Sequence, residues 1–258
     1  MPSATTYPNA LYAVLRAESA AQSAEAGRTI LPLGSHLRHD GGLRISALGL
    51  AAEHGASSFA LNSVGAVPTA LSVSQRGVAD DLDALELHTW TRHRSRTIMV
   101  TSMEAFRPGD RTHRLAFGQI TWAVLAPAPP AGPSQGVSPD GLADLFTVAS
   151  VEESDGPAVI RAAHPDILGP GGILHAGALQ TLAEHAALRA AREQAGPGSA
   201  VCTADAAFQF ARGAKQGPFT AYPRVLAAAP GLPIDVEVEV RDSGDRLCTL
   251  ATLRIVSP

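Results

Sequence analysis

Two stretches of this chain, one in each half, follow the same order of residues. In the first half, Gly41-Gly42-Leu43 leads into a run of small and apolar residues that ends in Ala52-Glu53-His54. In the second half, Gly171-Gly172-Ile173 leads into a similar run that ends in Ala183-Glu184-His185. Self-similarity of this kind indicates that one structural unit occurs twice. The fold must therefore accommodate two copies of one architecture within 258 residues.

A segment rich in proline, glycine and serine separates the two copies. Residues 126–140 read APAPPAGPSQGVSPD. Because proline contributes no backbone N–H to regular hydrogen bonding, this composition is typical of a linker. We predict a first unit over residues 1–126, a linker over residues 127–139 and a second unit over residues 140–258.

The hydrophobic pattern predicts similar elements in both units: a Gly-rich turn, a long helix of small residues and then antiparallel strands. Period-two alternation, as in Val236–Val240, is typical of a strand with one buried face. Strands are predicted over residues 85–90, 97–103 and 115–124, and over residues 219–226, 233–241 and 247–256. The leading segments differ, with a long alanine-rich helix over residues 11–24 in the first unit and a short helix over residues 140–146 in the second. Further strands are expected near residues 146–153 and 158–163. The predicted class is α+β.

The composition limits the classes of partner. Hydrophobic residues make up 45% of the chain and charged residues 17%, which is enough apolar material to bury a core. A net charge of −4 and a pI near 6.1 argue against nucleic acid as the main partner. No apolar run reaches membrane-spanning length, and the N-terminus lacks the pattern of a secretory signal. We therefore expect no membrane partner and a cytoplasmic location.

The cysteine and histidine positions do not suggest a metal or a cofactor. Cys202 and Cys248 lie far apart in apolar, strand-like stretches, which predicts two buried free thiols. His36, His39 and Asp40 are close in sequence but outside any predicted helix, so loop positions are expected for them. We predict neither a bound metal nor a cofactor.

The start of the second long helix carries the residues best suited to chemistry. His175 and several small residues precede the helix or open it, where unpaired backbone N–H groups and the positive end of the helix dipole can hold a developing oxyanion. Glu184 follows two turns later as a candidate base or nucleophile. At 100° per residue, Glu184 lies about 140° from Leu179 on the apolar face, so its carboxylate faces a flank where another half or subunit packs.

This segment resembles that of hot-dog-fold acyl-CoA thioesterases of the phenylacetyl-CoA and 4-hydroxybenzoyl-CoA branch. Their segment typically reads His-Gly-Gly-x-x-x-x-Leu-x-Asp, or has Glu at the acidic position; here it reads His175-Ala-Gly-Ala-Leu-Gln-Thr-Leu-Ala-Glu184. Residues 208–217 and 241–251 are similar to the family's strand and turn after the helix and to its last hairpin. The resemblance covers the second half and, more weakly, the first. It implies a tandem (double) hot-dog, each unit a curved antiparallel sheet wrapped around a long central helix.

The chain departs from the family pattern at three points. Ala176 replaces the first glycine of the motif, although its N–H is retained. Gly169 stands where the family commonly has an asparagine. In the first half, Arg44 or Ile45 stands where the histidine would be, while Glu53 is kept. The resemblance therefore implies one working site and one degraded site, with Glu53 as a secondary candidate.

The implied reaction is hydrolysis of an acyl-CoA, or a related thioester, to a free acid and a thiol. The amides of Ala176 and Gly177 would hold the acyl carbonyl oxygen as negative charge builds on it. Glu184 would attack the carbonyl directly or deprotonate a water molecule, and the sequence leaves both routes open. His175 either orients the thioester carbonyl or occupies the turn before the helix.

Other expectations concern the partners and the alternatives. Arg212 and Lys215 are candidates for binding the phosphates of coenzyme A, and the acyl pocket would lie between the two halves. Assembly into a homodimer or homotrimer stays open.

One alternative to thioester hydrolysis is a hydratase or dehydratase of enoyl or 3-hydroxyacyl thioesters. His164 and Asp166 supply the residue types for that reaction but not the expected arrangement. The other is a non-catalytic acyl-thioester-binding module.

Overall fold

The computed structural model of the protein describes residues 9–59, 65–76, 82–125, 137–153, 156–229 and 231–257. Its α-helices are α1 (Ala10–Leu15), α2 (Ile45–Ser57), α3 (Leu145–Val148) and α4 (Ala176–Ala195). Its strands are β1 (Glu18–Ala21), β2 (Ala26–Pro32), β3 (Arg38–His39), β4 (Gly42–Leu43), β5 (Ala66–Gln75), β6 (Ala84–Arg94), β7 (Ile98–Phe106), β8 (Ala116–Val124), β9 (Val159–Ile160), β10 (Cys202–Phe210), β11 (Phe219–Ala227), β12 (Ile234–Arg241) and β13 (Leu247–Val256).

In the described part of the chain, eleven strands form one antiparallel sheet that runs through both halves. Its order is β1-β2-β6-β7-β8-β5-β10-β13-β12-β11-β9, and β3 and β4 pair separately. The two halves meet where β5 pairs with β10, from Ser74 opposite Asp205 to Ala70 opposite Gln209. On either side of this junction the order is mirrored, because β5, β8, β7 and β6 lead outward in one half and β10, β13, β12 and β11 in the other.

The two long helices pack on this sheet and on each other. α2 contacts β2 and β5–β8, while α4 contacts β10–β13. Small residues let the helices approach closely where they meet. A Cβ atom added to Gly177 of α4 would overlap the side chain of Leu50 on α2, and one added to Gly49 of α2 would overlap Gln180 of α4. The two helices therefore cross closely at the boundary between the halves, with Gly49 against Gln180 and Gly177 against Leu50.

The strand predictions agree well with the structure. The six predicted stretches coincide with β6, β7 and β8 in the first half and with β11, β12 and β13 in the second, so period-two alternation located them. One large antiparallel sheet with few helices also agrees with the predicted α+β class. Residues 127–136 of the predicted linker lie outside the described residues, and the proposed unit boundaries stay predictions.

The prediction of a long helix over residues 11–24 is wrong. The helix α1 ends at Leu15, Arg16 takes a left-handed conformation with φ of 52°, and the chain then enters β1. There it pairs with β2, Glu18 opposite Ile30. Pairing along the sheet edge thus overrides the helix propensity of the alanines.

The elements before α4 also differ from the prediction. The short helix α3 covers Leu145–Val148 instead of residues 140–146, because the Asp144 side chain caps it by accepting the amide of Thr147. Of the two expected strands, β9 has two residues, and residue 152 forms an isolated bridge with residue 159. None of the helices in the described ranges is long and apolar enough to cross a membrane.

Candidate active site

A cavity of about 500 Å³ lies between the two halves at the start of α4. On one side it is bounded by α1, α2 and the beginning of β5, and on the other by the segment before α4 and the turn after β10. Its apolar wall includes Val67, Pro68, Trp122, Leu168, Ile173, Leu179 and Phe210. Its polar lining consists of Asn9, Tyr12, Glu53, Ser57, Thr69, His175 and Arg212. An apolar pocket with few polar groups converging on it is typical of a small-molecule site.

Glu53 of α2 places its carboxyl group at this cavity. The side chain is almost fully buried, and its Oε1 accepts a hydrogen bond from Nε2 of Gln180 at 2.7 Å. Burial raises the pKa of Glu53 from 4.5 to about 8. A carboxyl group with a pKa in this range can exchange a proton near neutral pH, as general acid–base catalysis requires.

His175 is the N-cap residue of α4 and lies beside Glu53. Its Nδ1 accepts the N–H of Gly177 at 3.1 Å, so the neutral ring carries its hydrogen on Nε2. That Nε2 lies 3.8 Å from Oε2 of Glu53. Burial lowers the pKa of His175 to about 4, which keeps the ring uncharged at neutral pH. The imidazole therefore presents one N–H group toward the carboxyl and the cavity.

The amides at the start of α4 are not equivalent. The N–H of Gly177 is occupied by the ring of His175, and the N–H groups of Ala178 and Leu179 bond to the carbonyl of His175. Ala176 lines the cavity, and its N–H makes no hydrogen bond to any residue that the structure describes. The expected pair of free amides is corrected to one, because His175 caps the helix through Gly177.

Glu184 lies elsewhere than the sequence predicts. It is buried, and its carboxylate accepts from the amide of Ile45 at 2.8 Å, the amide of Ser46 at 3.0 Å and the hydroxyl of Ser46 at 2.5 Å. It caps α2, whose own N-cap residue, Arg44, makes no side-chain cap bond. The expected proximity of Glu184 to the amides of its own helix is therefore corrected. The carboxylate does face the other half, as its helical angle predicts.

Of the two cationic candidates, the structure brings Arg212 to the cavity. Arg212 is exposed at the rim, in the turn after β10. Lys215 is exposed and is not part of the cavity lining. Arg192 forms an ion pair with Asp40 and also donates to the ring of His39, and both contacts join the two halves. Within the described ranges, no group of three or more His, Cys, Asp or Glu residues is arranged to hold a metal ion.

Two residues at or beside the site were not predicted from the sequence. Tyr12 of α1 lines the cavity, with its ring 5.2 Å from that of His175 at an angle of 84°. Burial raises the pKa of Tyr12 above its usual value, so its hydroxyl stays neutral. Gln180 lies inside the recognised motif, where a polar side chain among small and apolar ones was the available signal. The contact of Tyr12 with His175 and that of Gln180 with Glu53 join residues far apart in sequence, so helix periodicity alone does not predict these contacts.

Several known proteins share features with this chain. Residues 171–249 match the model of the thioesterase superfamily. The solved structure of an acyl-CoA thioesterase II, TesB2, from Mycobacterium marinum is 14% identical, with 96% of this chain and 98% of that one covered and a TM-score of 0.61. A 12:0-ACP thioesterase from Umbellularia californica is 11% identical, with 90% and 94% covered and a TM-score of 0.64.

A third similar structure is a conserved protein of unknown function with a hot-dog fold from Alicyclobacillus acidocaldarius. It is 13% identical, with 90% of this chain and 93% of that one covered and a TM-score of 0.58. No curated protein sequence matches this chain. At these identities the structures establish a shared fold. Together with the match at residues 171–249, they confirm the resemblance to hot-dog thioesterases.

Proposed function

We propose that this chain hydrolyses acyl thioesters, with Glu53 as the catalytic carboxyl group and the start of α4 as the site that holds the carbonyl oxygen. One observation carries the proposal. A buried carboxyl group, the neutral imidazole of His175 and the free amide of Ala176 converge on one largely apolar cavity. The match to the thioesterase superfamily at residues 171–249 supports the reaction class.

We further infer that the two halves are two hot-dog units joined in one chain. The mirrored strand order on either side of the β5–β10 junction supports this inference. A long helix against each half of the sheet supports it as well. In this arrangement the site takes its carboxyl group from the first unit and its amide from the second, so both units are needed to build it.

The reaction follows from the positions of the groups. The thioester carbonyl oxygen accepts from the N–H of Ala176 at the positive end of the α4 dipole, where negative charge is stabilised as it develops. The Nε2–H of His175 is a second donor facing the cavity. Ionised Glu53 takes a proton from a water molecule, which attacks the carbonyl carbon. The tetrahedral intermediate then expels the thiolate, and protonated Glu53 returns the proton to it.

A covalent route uses the same groups. Glu53 attacks the carbonyl carbon, the thiolate leaves, and a water molecule hydrolyses the resulting mixed anhydride to regenerate the carboxylate and release the acid. Single-turnover hydrolysis in ¹⁸O-labelled water separates the two routes. The covalent route places ¹⁸O in the Glu53 carboxyl group when water attacks the anhydride at that carbonyl, whereas the general-base route leaves the protein unlabelled.

The lining indicates where the parts of the substrate bind. The acyl group would occupy the apolar wall near Trp122 and Phe210, and Arg212 at the rim is placed to meet a phosphate of coenzyme A or of a phosphopantetheine arm. The acyl-CoA and acyl-ACP activities named for the two similar thioesterase structures include both carriers. A contact from Lys215 to the substrate stays a prediction, as does assembly into a homodimer or homotrimer.

A panel of acyl-CoA thioesters tests the proposal, with thiol release followed by Ellman's reagent. We expect release by the unmodified protein and a loss of about 100-fold or more in kcat for Glu53→Gln. Addition of water to a crotonyl thioester without thiol release would instead indicate a hydratase. The structure does not favour that alternative, because His164 and Asp166 form an exposed pair outside the cavity lining. Binding without turnover would indicate a non-catalytic module.

A further inference from the structure

We propose that Gln180 is a positioning residue for this reaction: it donates a hydrogen bond that favours the ionised form of the Glu53 carboxyl group at the cavity. Gly49 on the opposite helix leaves the room that the Gln180 amide needs. The proposal rests on the function proposed above. Gln180 is not among the described residues that line the cavity. It would therefore act through Glu53.

The repeat gives an internal comparison for each position of the site. The helices α2 and α4 begin at Ile45 and Ala176, and their glutamates, Glu53 and Glu184, both follow eight residues later. Each carboxyl group reaches across to the start of the other helix. Glu184 meets the start of α2, and Glu53 lies 3.8 Å from the histidine that caps α4. The two sites therefore share one arrangement, in which the start of one helix is faced by the glutamate of the other.

The sites differ at the position four residues into each helix. In α4 this position is Gln180, whose Nε2 donates to Oε1 of Glu53 at 2.7 Å. In α2 it is Gly49, which has no side chain to offer Glu184. Glu184 instead accepts from the amides of Ile45 and Ser46 at the start of α2 and from the Ser46 hydroxyl. One site is therefore filled by the protein's own carboxylate, while the amide of Ala176 is left for a substrate.

Gly49 is needed for Gln180 to take this position. A Cβ atom at Gly49 would overlap Oε1 of Gln180, so a larger residue would push the amide away from Glu53. Gln180 is fully buried, and its Oε1 has no hydrogen-bond partner among the described residues. A buried polar atom without a partner is uncommon in folded proteins and calls for a local explanation. The bond that the same amide makes to Glu53 provides one.

The hydrogen bond from Gln180 can be detected through the pKa of Glu53, because the other groups that face this carboxyl group are uncharged. Tyr12 from α1 and His175 from α4 both face it and are neutral near pH 7, since burial raises the pKa of Tyr12 and lowers that of His175. The hydrogen bond from Gln180 favours the ionised carboxylate and lowers the pKa of Glu53 against the larger effect of burial. Loss of this bond should therefore raise the pKa of Glu53.

The test replaces Gln180 by Leu, which has no donor, and by the unbranched Met in case the first variant does not fold. Gln75→Leu is the matched control, because Gln75 is also buried but donates to the carbonyls of Leu43 and Thr203. The titration of Glu53 is followed through its ¹³C-carboxyl signal, which is assigned by its absence in Glu53→Gln. This readout does not depend on turnover.

We expect the Gln180 variants to raise the titration midpoint of Glu53 by about one pH unit, and Gln75→Leu to leave it unchanged. In the thioester assay, kcat should fall about tenfold or more at pH 7 with KM nearly constant, and part of the loss should be recovered at higher pH. An unchanged or lowered midpoint, or an equal shift in the control, would overturn the proposal. Absence of turnover in the unmodified protein would refute the proposed function, while the midpoint would still decide the role of Gln180.

Discussion

Replacing Glu53 by Gln should stabilise the protein at alkaline pH while it abolishes turnover. The reason is the burial of an ionisable group. In the folded protein burial raises the pKa of Glu53 to about 8, against 4.5 for an exposed glutamate. Between these two pH values the unfolded chain ionises Glu53 while the folded protein keeps it protonated. Stability therefore falls as the pH rises from about 4.5 to about 8.

The size of the effect follows from the two pKa values. At about 1.4 kcal/mol per pKa unit, a rise from 4.5 to about 8 corresponds to about 5 kcal/mol lost above pH 8, as an upper bound. Glutamine is neutral in both states, so the variant does not lose this stability. It also keeps an oxygen that can accept from Gln180. Other titrating groups occur in both proteins, so their contributions cancel in the difference.

Urea unfolding of both proteins at pH 5, 7 and 9, followed by circular dichroism, measures the difference. We expect nearly equal free energies of unfolding at pH 5 and an advantage of a few kcal/mol for Glu53→Gln at pH 9. Such a gain at the cost of activity is typical of a functional group held in an unfavourable environment. A difference that does not change with pH would refute the assignment of Glu53 as a buried carboxyl group with a raised pKa.

Three further predictions concern the surroundings of Glu53. Ala176→Pro removes the free amide at the first helical position, which accepts proline well; kcat should fall about 100-fold with the melting temperature nearly unchanged, and an unaltered kcat would exclude this amide as the oxyanion donor. Gly49→Ala should displace Gln180 and lower kcat at pH 7, which the pH–rate profile would show as a raised apparent pKa of Glu53. Arg212→Ala should raise KM for acyl-CoA several-fold but not for a short thioester that lacks the nucleotide; equal effects on both substrates would contradict a phosphate contact.

Local sequence patterns determine much of this fold. Period-two alternation located the last three strands of each half, and the hairpin between β12 and β13 turns where Asp242 accepts the amides of Gly244 and Arg246. The start of α4 was predictable because His175, followed by small residues, is a recognisable helix start. By contrast, the alanines after Leu15 favour a helix by propensity, yet they pair with β2 at the sheet edge.

The sequence alone could not show which of the two glutamates lies at the cavity. Glu53 and Glu184 stand at the same position of the repeat, and local pattern favours Glu184 because its helix carries the histidine motif. Which amides each carboxyl group meets depends on how α2 and α4 cross, and the glycines at their contact set that crossing. The contact joins residues more than 120 positions apart, such as Gln180 and Glu53. Only the packed helices show that the histidine of one repeat lies beside the glutamate of the other.

The central claim is tested most directly by comparing Glu53→Gln with Glu184→Gln in the thiol-release assay at pH 8, with rates expressed per folded molecule. The two substitutions are chemically identical and occupy equivalent positions of the repeat. We predict that Glu53→Gln loses nearly all turnover, and that Glu184→Gln retains most of it but unfolds at a lower urea concentration, because the cap of α2 is weakened. Loss of turnover in Glu184→Gln, with activity retained in Glu53→Gln, would contradict the account.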